Sequence, residues 1–227
     1  MAYIDERDYD NRAADPVAAL LDFNGNVLGS YLPVALGPDD EWWPILAAGR
    51  TRLLMGWFNG EDDTVSGAIL SPTGEVVQPL KILTHAEAYE YACVWLDSLD
   101  RFLVVGRSGP GSRAVLVDET GALSHLTTGL PQLVRESQLL AQDLPGGGMV
   151  VLYCTTDGGV AVLDVSQSSI HLRTKKTDVF QWTTKGTDGT FIAPEKAVFL
   201  ATTGAGGVPT IVETDLTPSS VSNWKFY

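Results

Sequence analysis

Four short and strongly apolar segments recur along the chain at a nearly constant spacing. They are residues 53–57 (LLMGW), 102–106 (FLVVG), 149–153 (MVVLY) and 197–201 (AVFLA). Their first residues lie 49, 47 and 48 positions apart. Continuous apolar runs of this length, bounded by Gly, Pro and Asp, are typical of β-strands that are covered on both faces.

A second series of short apolar runs, each ending in a turn, lies between these strands. The turns end at Gly25, Gly74, Gly121, Gln167 and Pro218, and they are spaced by 49, 47, 46 and 51 residues. In turns such as 118–121 (DETG), Asp accepts hydrogen bonds from the backbone ahead of it, and Gly takes a positive φ without steric cost. Two series with one period predict a repeated β-structure.

Each period contains two hairpins, and two hairpins make a four-stranded sheet. Four-stranded sheets repeated around an axis are the blades of a β-propeller. The sequence therefore predicts an all-β fold, a β-propeller of four to five four-stranded blades with a repeat of about 47–49 residues.

The hairpins are unevenly distributed, because four inner hairpins accompany five outer ones. The additional outer hairpin spans residues 17–32 and has no inner hairpin before it. It completes a blade begun by the C-terminal segment, or it belongs to a truncated first blade of a five-bladed ring, or the ring is an open arc that another subunit completes.

Two of the repeats resemble those of large bacterial surface and secreted β-propeller proteins. Residues 68–76 (AILSPTGEV) follow 56–60 (GWFNG), and residues 114–122 (AVLVDETGA) follow 102–107 (FLVVGR). The resemblance covers approximately residues 17 to 218 and implies the propeller fold. The last two repeats depart from the pattern, since Gln167 and Pro218 replace the turn glycine.

The N-terminal residues differ from the repeats in composition. Residues 1–16 are polar and are interpreted as an arm, and residues 17–227 as a single propeller domain. Polar termini of this kind become ordered when something holds them. We therefore predict that the arm docks on a neighbouring subunit through its larger side chains, Tyr3, Ile4 and Tyr9.

Charge narrows the classes of partner. The chain has 15 basic and 28 acidic residues and a formal net charge of −13, which repels nucleic acid and anionic lipid. No stretch approaches the roughly 20 apolar residues that cross a bilayer, so membrane insertion is not expected. The first residues lack the pattern of a secretory signal, so a cytoplasmic protein is expected unless another route exports it.

The enzyme classes receive little support from motifs. Neither HExxH nor GxSxG is present, and no cofactor is predicted. A glutamate precedes each of three inner hairpins, at Glu41, Glu90 and Glu136. If these positions are equivalent in the ring, the three carboxylates form an acidic cluster near the axis. A propeller glycosidase would use carboxylates from separate blades in this way. The alternate positions of Asn59, Glu61 and Asp63 suggest a weak calcium site, although the loop lacks the glycine and glutamate of an EF-hand.

Aromatic residues favour a carbohydrate-binding alternative. Trp42, Trp43 and Trp224 are the candidate stacking faces for sugar rings, whereas Trp57 and Trp95 fall within apolar strands and are predicted to be core residues. Repeated blades would offer several equivalent weak sites.

The leading hypothesis is a non-enzymatic β-propeller that serves as an adaptor or decoration subunit of a larger assembly with other protein subunits. The favoured assembly is a bacteriophage head, neck or tail, which would place the protein in the virion after assembly in the bacterial cytoplasm. The first alternative is a soluble lectin-like propeller that binds a cell-surface glycan. A propeller glycosidase is the third.

Overall fold

The computed structural model describes residues 1–5, 15–29, 31–35, 41–86, 90–135, 137–144, 148–177, 188–193, 196–203, 208–215 and 225–226. These residues form five antiparallel sheets that follow one another along the chain. The first sheet has the order β1-β2-β3, and it consists of β1 (Ala2–Asp5), β2 (Asp15–Ala18) and β3 (Leu32–Pro33).

The other four sheets each contain four strands in sequence order. The second contains β4 (Glu41–Ala48), β5 (Leu53–Asn59), β6 (Thr64–Leu70) and β7 (Val76–Thr84). The third contains β8 (Tyr91–Leu96), β9 (Arg101–Ser108), β10 (Gly111–Val117) and β11 (Leu123–Leu130), with a short 3-10 helix at Asp97–Leu99. The fourth contains β12 (Leu140–Asp143), β13 (Met149–Cys154), β14 (Val160–Ser166) and β15 (Ser169–Lys176). The fifth contains β16 (Asp188–Ala193), β17 (Lys196–Thr203), β18 (Val208–Asp215) and β19 (Lys225–Phe226).

Successive sheets pack face to face, and their first strands meet near a common axis. β4 contacts the first sheet through β1 and β2, β8 contacts β4, β12 contacts β8, and β16 contacts β12. The prediction of an all-β fold built from four-stranded sheets is confirmed.

The middle strands show why their sequences are apolar without interruption. In β9, Phe102 and Val104 pack in the cluster between the second and third sheets, while Leu103 and Val105 pack in the cluster between the third and fourth. Alternate side chains of a strand point to opposite faces, so a strand between two neighbouring sheets buries both sets. The interpretation of these runs as doubly covered strands is confirmed for β5, β9 and β13.

The turns of the outer hairpins have the predicted chemistry. Gly25, Gly74 and Gly121 have φ values of 85°, 86° and 91°, which glycine adopts without strain. The carboxylate of Asp118 accepts hydrogen bonds from the backbone N–H groups of Thr120 and Ala122, at 2.8 and 3.0 Å. The sequence spacing of these glycines therefore reports the real repeat.

The first sheet differs from the prediction for the N-terminus. Residues 2–5 and 15–16 of the predicted arm lie in strands β1 and β2, where the backbone of Tyr3 pairs with Val17 and that of Ile4 with Pro16. Tyr9 lies outside the described residues. The predicted hairpin of residues 17–32 is present, but β1 precedes it in the same sheet. β19 pairs with β18, so the described part of the C-terminal segment, residues 225–226, belongs to the fifth sheet.

A contact between neighbouring sheets recurs at the end of the molecule where the inner hairpins turn. The carboxylate of Glu119, in the β10–β11 turn, accepts hydrogen bonds from the N–H and hydroxyl groups of Thr51 at 2.7 and 2.6 Å. The amide of Gln167, in the corresponding turn of the fourth sheet, donates to the carbonyl oxygen of Leu99 at 2.8 Å. The outer turns of the third and fourth sheets are thus each hydrogen-bonded to the inner turn of the preceding sheet.

The Glu119 contact makes stability depend on pH. Burial disfavours ionisation of Glu119, but hydrogen bonds from Thr51 and from the backbone outweigh it and lower the pKa below the usual 4.5. A carboxylate with a lowered pKa stabilises the fold above its unfolded pKa, and this contribution is lost as the pH falls through the folded pKa. We expect Glu119→Gln to lower the free energy of unfolding at neutral pH and the difference from wild type to shrink below about pH 4.5.

Urea unfolding between pH 3 and pH 7 measures this effect. Glu75→Gln is the control, because Glu75 joins its turn through its backbone N–H and carbonyl groups. Equal pH dependence in all three proteins would contradict the assignment.

Candidate functional site

A cavity of about 690 Å³, which we call the axial cavity, opens where the inner strands of the second, third and fourth sheets begin. Its lining consists of Ala2 from β1, residues 43–46 from β4, residues 91–93 from β8 and residues 137–139 before β12. This volume is within the range of small-molecule sites in proteins. The lining residues that the structure describes include no charged side chain, although the chain as a whole carries a charge of −13.

The wall of the cavity is shaped by an irregularity in β4. The pairing of β4 with β5 shifts between Trp42 and Ile45, and Trp43 has a φ of 51°. The hydroxyl of Tyr91 donates to the carbonyl oxygen of Trp42 at 3.0 Å and contacts that of Trp43. Burial raises the pKa of Tyr91 above its usual range, so this hydroxyl keeps its proton. Tyr91 thereby holds the bulged strand against the third sheet.

The predicted sugar-stacking residues differ in their position relative to the cavity. Trp43 lines the cavity, and Trp42 stacks on it with ring centroids 5.6 Å apart and an interplanar angle of 29°. Trp43 also lies 6.4 Å from the ring of Phe58. Both tryptophans are half-buried, so Trp43 offers the cavity only part of its surface. Trp224 lies outside the described residues.

The interfaces between sheets carry different chemistry at equivalent positions. Three residues occupy equivalent positions, five residues after the first residues of the apolar runs, Leu53, Phe102 and Met149. They are Phe58, Arg107 and Cys154. Phe58 contacts the ring of Trp43, Arg107 binds Glu90, and the backbone of Cys154 donates to the hydroxyl of Ser137. The aromatic contact of Trp43 is therefore not repeated at these positions of the described sheets.

The predicted acidic cluster is not a ring of equivalent carboxylates. Glu41 pairs with Asn59, whereas Glu90 stands opposite Arg107, which is equivalent to Phe58 and not to Asn59. The two glutamates are one position apart, and a shift of one residue reverses the face of a strand. The carboxylate of Glu90 is bound by the guanidinium of Arg107 at 2.6 and 2.8 Å. Glu136 lies outside the described residues.

The candidate calcium loop is organised by its own backbone. The side-chain oxygen of Asn59 accepts hydrogen bonds from the N–H groups of Glu61 and Asp62, at 3.0 and 3.4 Å. Asp63 has a φ of 50°, which closes the turn into β6. Within the described ranges, no group of three or more His, Cys, Asp or Glu side chains is placed to hold a metal ion.

Sequence reasoning missed most of the cavity lining. Tyr91, Ser137 and Gln138 belong to no motif, and their only signal is their place just before or at the start of an inner strand. Cys93 is a further lining residue, and burial raises the pKa of its thiol to about 12. The thiol therefore remains protonated and behaves as an apolar group.

Three solved structures resemble this fold over most of the chain. The Dos1 propeller aligns with a TM-score of 0.59 and 12% identity over 89% of this chain and 52% of its own. A protein of unknown function from Bacteroides caccae aligns with a TM-score of 0.53 and 12% identity, over 95% of this chain and 69% of its own. The SapL1 lectin, solved with alpha methyl fucoside, aligns with a TM-score of 0.54 and 11% identity, over 96% and 76%.

At these identities the comparisons establish the fold alone. Together with the face-to-face sheets, they show that the chain has a β-propeller fold, as the repeats predicted. The chain spans about half the length of the Dos1 propeller. No protein-family model matches the chain, and no curated protein matches its sequence. Among the described residues, no helix is long and apolar enough to cross a membrane.

The Glu90–Arg107 pair is predicted to be structural. Its side chains are 16% and 28% exposed, and removing one partner of a largely buried pair leaves an uncompensated charge. We expect Glu90→Leu and Arg107→Met each to cost about 1–3 kcal/mol in the free energy of unfolding. The double variant is expected to lie closer to wild type than the sum of the two losses. A double-mutant cycle by urea denaturation measures the coupling, and additive losses would contradict it.

Proposed function

We propose that the protein is a non-enzymatic β-propeller adaptor that joins a larger protein assembly through its first sheet. The observation that carries this proposal is the difference between the first sheet and the other four. The first sheet has three strands, and the hairpin between β2 and β3 exposes apolar side chains at Leu21, Phe23, Val27, Leu28 and Tyr31.

The exposed hairpin has the composition of a protein contact. Phe23 is fully exposed at the tip of the turn, and more than half of Leu28 is exposed. Apolar and aromatic side chains grouped in one surface segment are typical of interaction sites. A rigid propeller also needs no catalytic group to act as a scaffold, and the bacteriophage virion remains the proposed assembly.

The adaptor proposal predicts that the hairpin is needed for assembly. We expect Phe23→Ser with Leu28→Ser to abolish incorporation into the native particle while leaving the melting temperature within a few degrees, because both side chains are exposed. The control is Val76→Ser with Val77→Ser, which removes two exposed apolar side chains from β7 of the second sheet. Incorporation is measured by quantitative mass spectrometry of purified particles. Equal incorporation of both double variants would contradict the proposal.

Carbohydrate binding in the axial cavity is the second candidate function. It is favoured by Trp43 and the exposed amide of Gln138 in the cavity lining, and by the fold similarity to a lectin solved with a fucoside. An aromatic face with a few amide and hydroxyl groups suits a neutral sugar. In this arrangement one asymmetric site would bind the glycan.

A glycan array followed by titration calorimetry tests this candidate. We expect Gln138→Ala to weaken binding by about tenfold, since it removes a polar partner of the sugar. Gln142→Ala is the matched control, because its amide donates to the carbonyl of Asp143 outside the cavity lining. Absence of binding to every glycan would exclude the candidate.

A further inference from the structure

Among the residues that the structure describes, the first sheet has no strand at the position nearest the axis, where the neighbouring sheets have one. Ala18 precedes the turn glycine Gly25 by seven residues, and it pairs with Ala2 of β1. Gly67 precedes Gly74 by seven residues and pairs with Gly56 of β5. β1 is therefore equivalent to β5, the second strand of its sheet. Among the described residues, nothing in the first sheet corresponds to β4.

The open edge of β1 presents backbone groups to the cavity. The N–H and C=O groups of Met1 and Ala19 bond each other, at 2.9 and 2.8 Å. Along an antiparallel pair of strands, hydrogen-bonded and non-hydrogen-bonded residue pairs alternate. Because Met1 is hydrogen-bonded to β2, Tyr3 and Asp5 are as well. The N–H and C=O groups of Ala2 and Ile4 therefore point away from β2, to the opposite edge of β1. Ala2 lines the axial cavity, which places this edge beside it.

We propose that the open edge of β1 accepts an extended strand from a partner polypeptide, which completes the first sheet on its axial side. The proposal rests on the adaptor function and names the kind of segment that the partner supplies. Strand addition to an exposed edge gains its affinity from main-chain hydrogen bonds. Here the N–H groups of Ala2 and Ile4 would donate hydrogen bonds to the incoming strand, and their carbonyl oxygens would accept them.

The equivalent strands define the chemistry of the incoming segment. Residues 42–47 (WWPILA) of β4 and residues 91–96 (YACVWL) of β8 contain no charged residue, and the charges of the inner strands lie at strand ends, as with Glu41 in β4, Asp143 in β12 and Asp188 in β16. The residues between the ends pack between neighbouring sheets, where an unpaired charge is costly. The partner segment is therefore about six residues long and apolar between its ends.

A separate extended segment fits this place better than a folded second copy. β4 packs directly against β1 and β2, so the accessible edge lies beside the axis between sheets. A single strand can enter such a place, whereas the β1 edge of a folded second copy would bring its own sheet and the packed β4 with it. The last described strand of this chain, β19, is engaged with β18.

A synthetic peptide tests the proposal directly. The probe is a fluorescein-labelled peptide with the sequence of residues 91–96, in which Ser replaces Cys93 to prevent oxidation. We expect saturable binding to the full-length chain by fluorescence anisotropy, with one peptide per chain. Amide hydrogen exchange is expected to slow at Ala2 and Ile4 when the peptide binds. A peptide with N-methyl groups at alternate amides, which cannot extend the ladder, is expected not to bind.

A pair of variants isolates the backbone of β1. Ile4→Pro removes an N–H group that points away from β2, so it spares the existing ladder and is expected to weaken peptide binding by about tenfold. Ile4→Val keeps the N–H group and is expected to bind like wild type. Thermal melting checks that both variants fold, and if Ile4→Pro does not, the N-methylated peptide and hydrogen exchange still decide.

The proposal would be overturned by the absence of binding, by binding without protection at Ala2 and Ile4, or by equal binding of the N-methylated peptide. Concentration-dependent dimers that exclude the peptide would also overturn it, since they would make a second copy the occupant. The adaptor function is tested separately through Phe23 and Leu28. Loss of assembly in that double variant, together with failure of the peptide, would reject strand addition and retain the adaptor.

Discussion

The structure depends on the burial of each middle strand between two neighbouring sheets. Leu103 and Val105 face one interface and Phe102 and Val104 face the other, and all four are fully buried. Full burial of a large apolar side chain stabilises the fold by about 1.5–3 kcal/mol. A single sheet cannot obtain this gain on both faces, so the sheets are stable only as a packed series.

Because each sheet is stabilised by its neighbours, the first sheet of the series differs from the internal sheets. Internal sheets are covered on both faces and are fastened by polar contacts such as those of Glu119 and Gln167. The first sheet has three strands and an exposed apolar hairpin, and its open edge lies at the axial cavity. The features that suggest a function are thus concentrated where the repeating pattern is incomplete, and the complete sheets supply a rigid frame.

The candidate site shows how far sequence reasoning reached. It identified Trp43, because an aromatic pair next to an inner strand is conspicuous, and the structure places that residue in the cavity. It did not identify Tyr91 or Gln138, because neither belongs to a sequence motif. They become lining residues only because the fold brings the start of β8 and the segment before β12 together at the axis. It treated Glu41 and Glu90 as equivalent because their distance matches the period, but the shift in the pairing of β4 puts them one position apart.

The sequence by itself determined the repeat, the strand class and the turn glycines, since these follow from local periodicity and backbone geometry that each segment carries alone. Tertiary structure decided the rest, because it depends on which distant strands become neighbours. The placement of residues 2–5 in a sheet, the pairing of β19 with the fifth sheet and the uncharged lining of the cavity are of this kind. An edge or a cavity belongs to no single segment, so it has no local pattern to read.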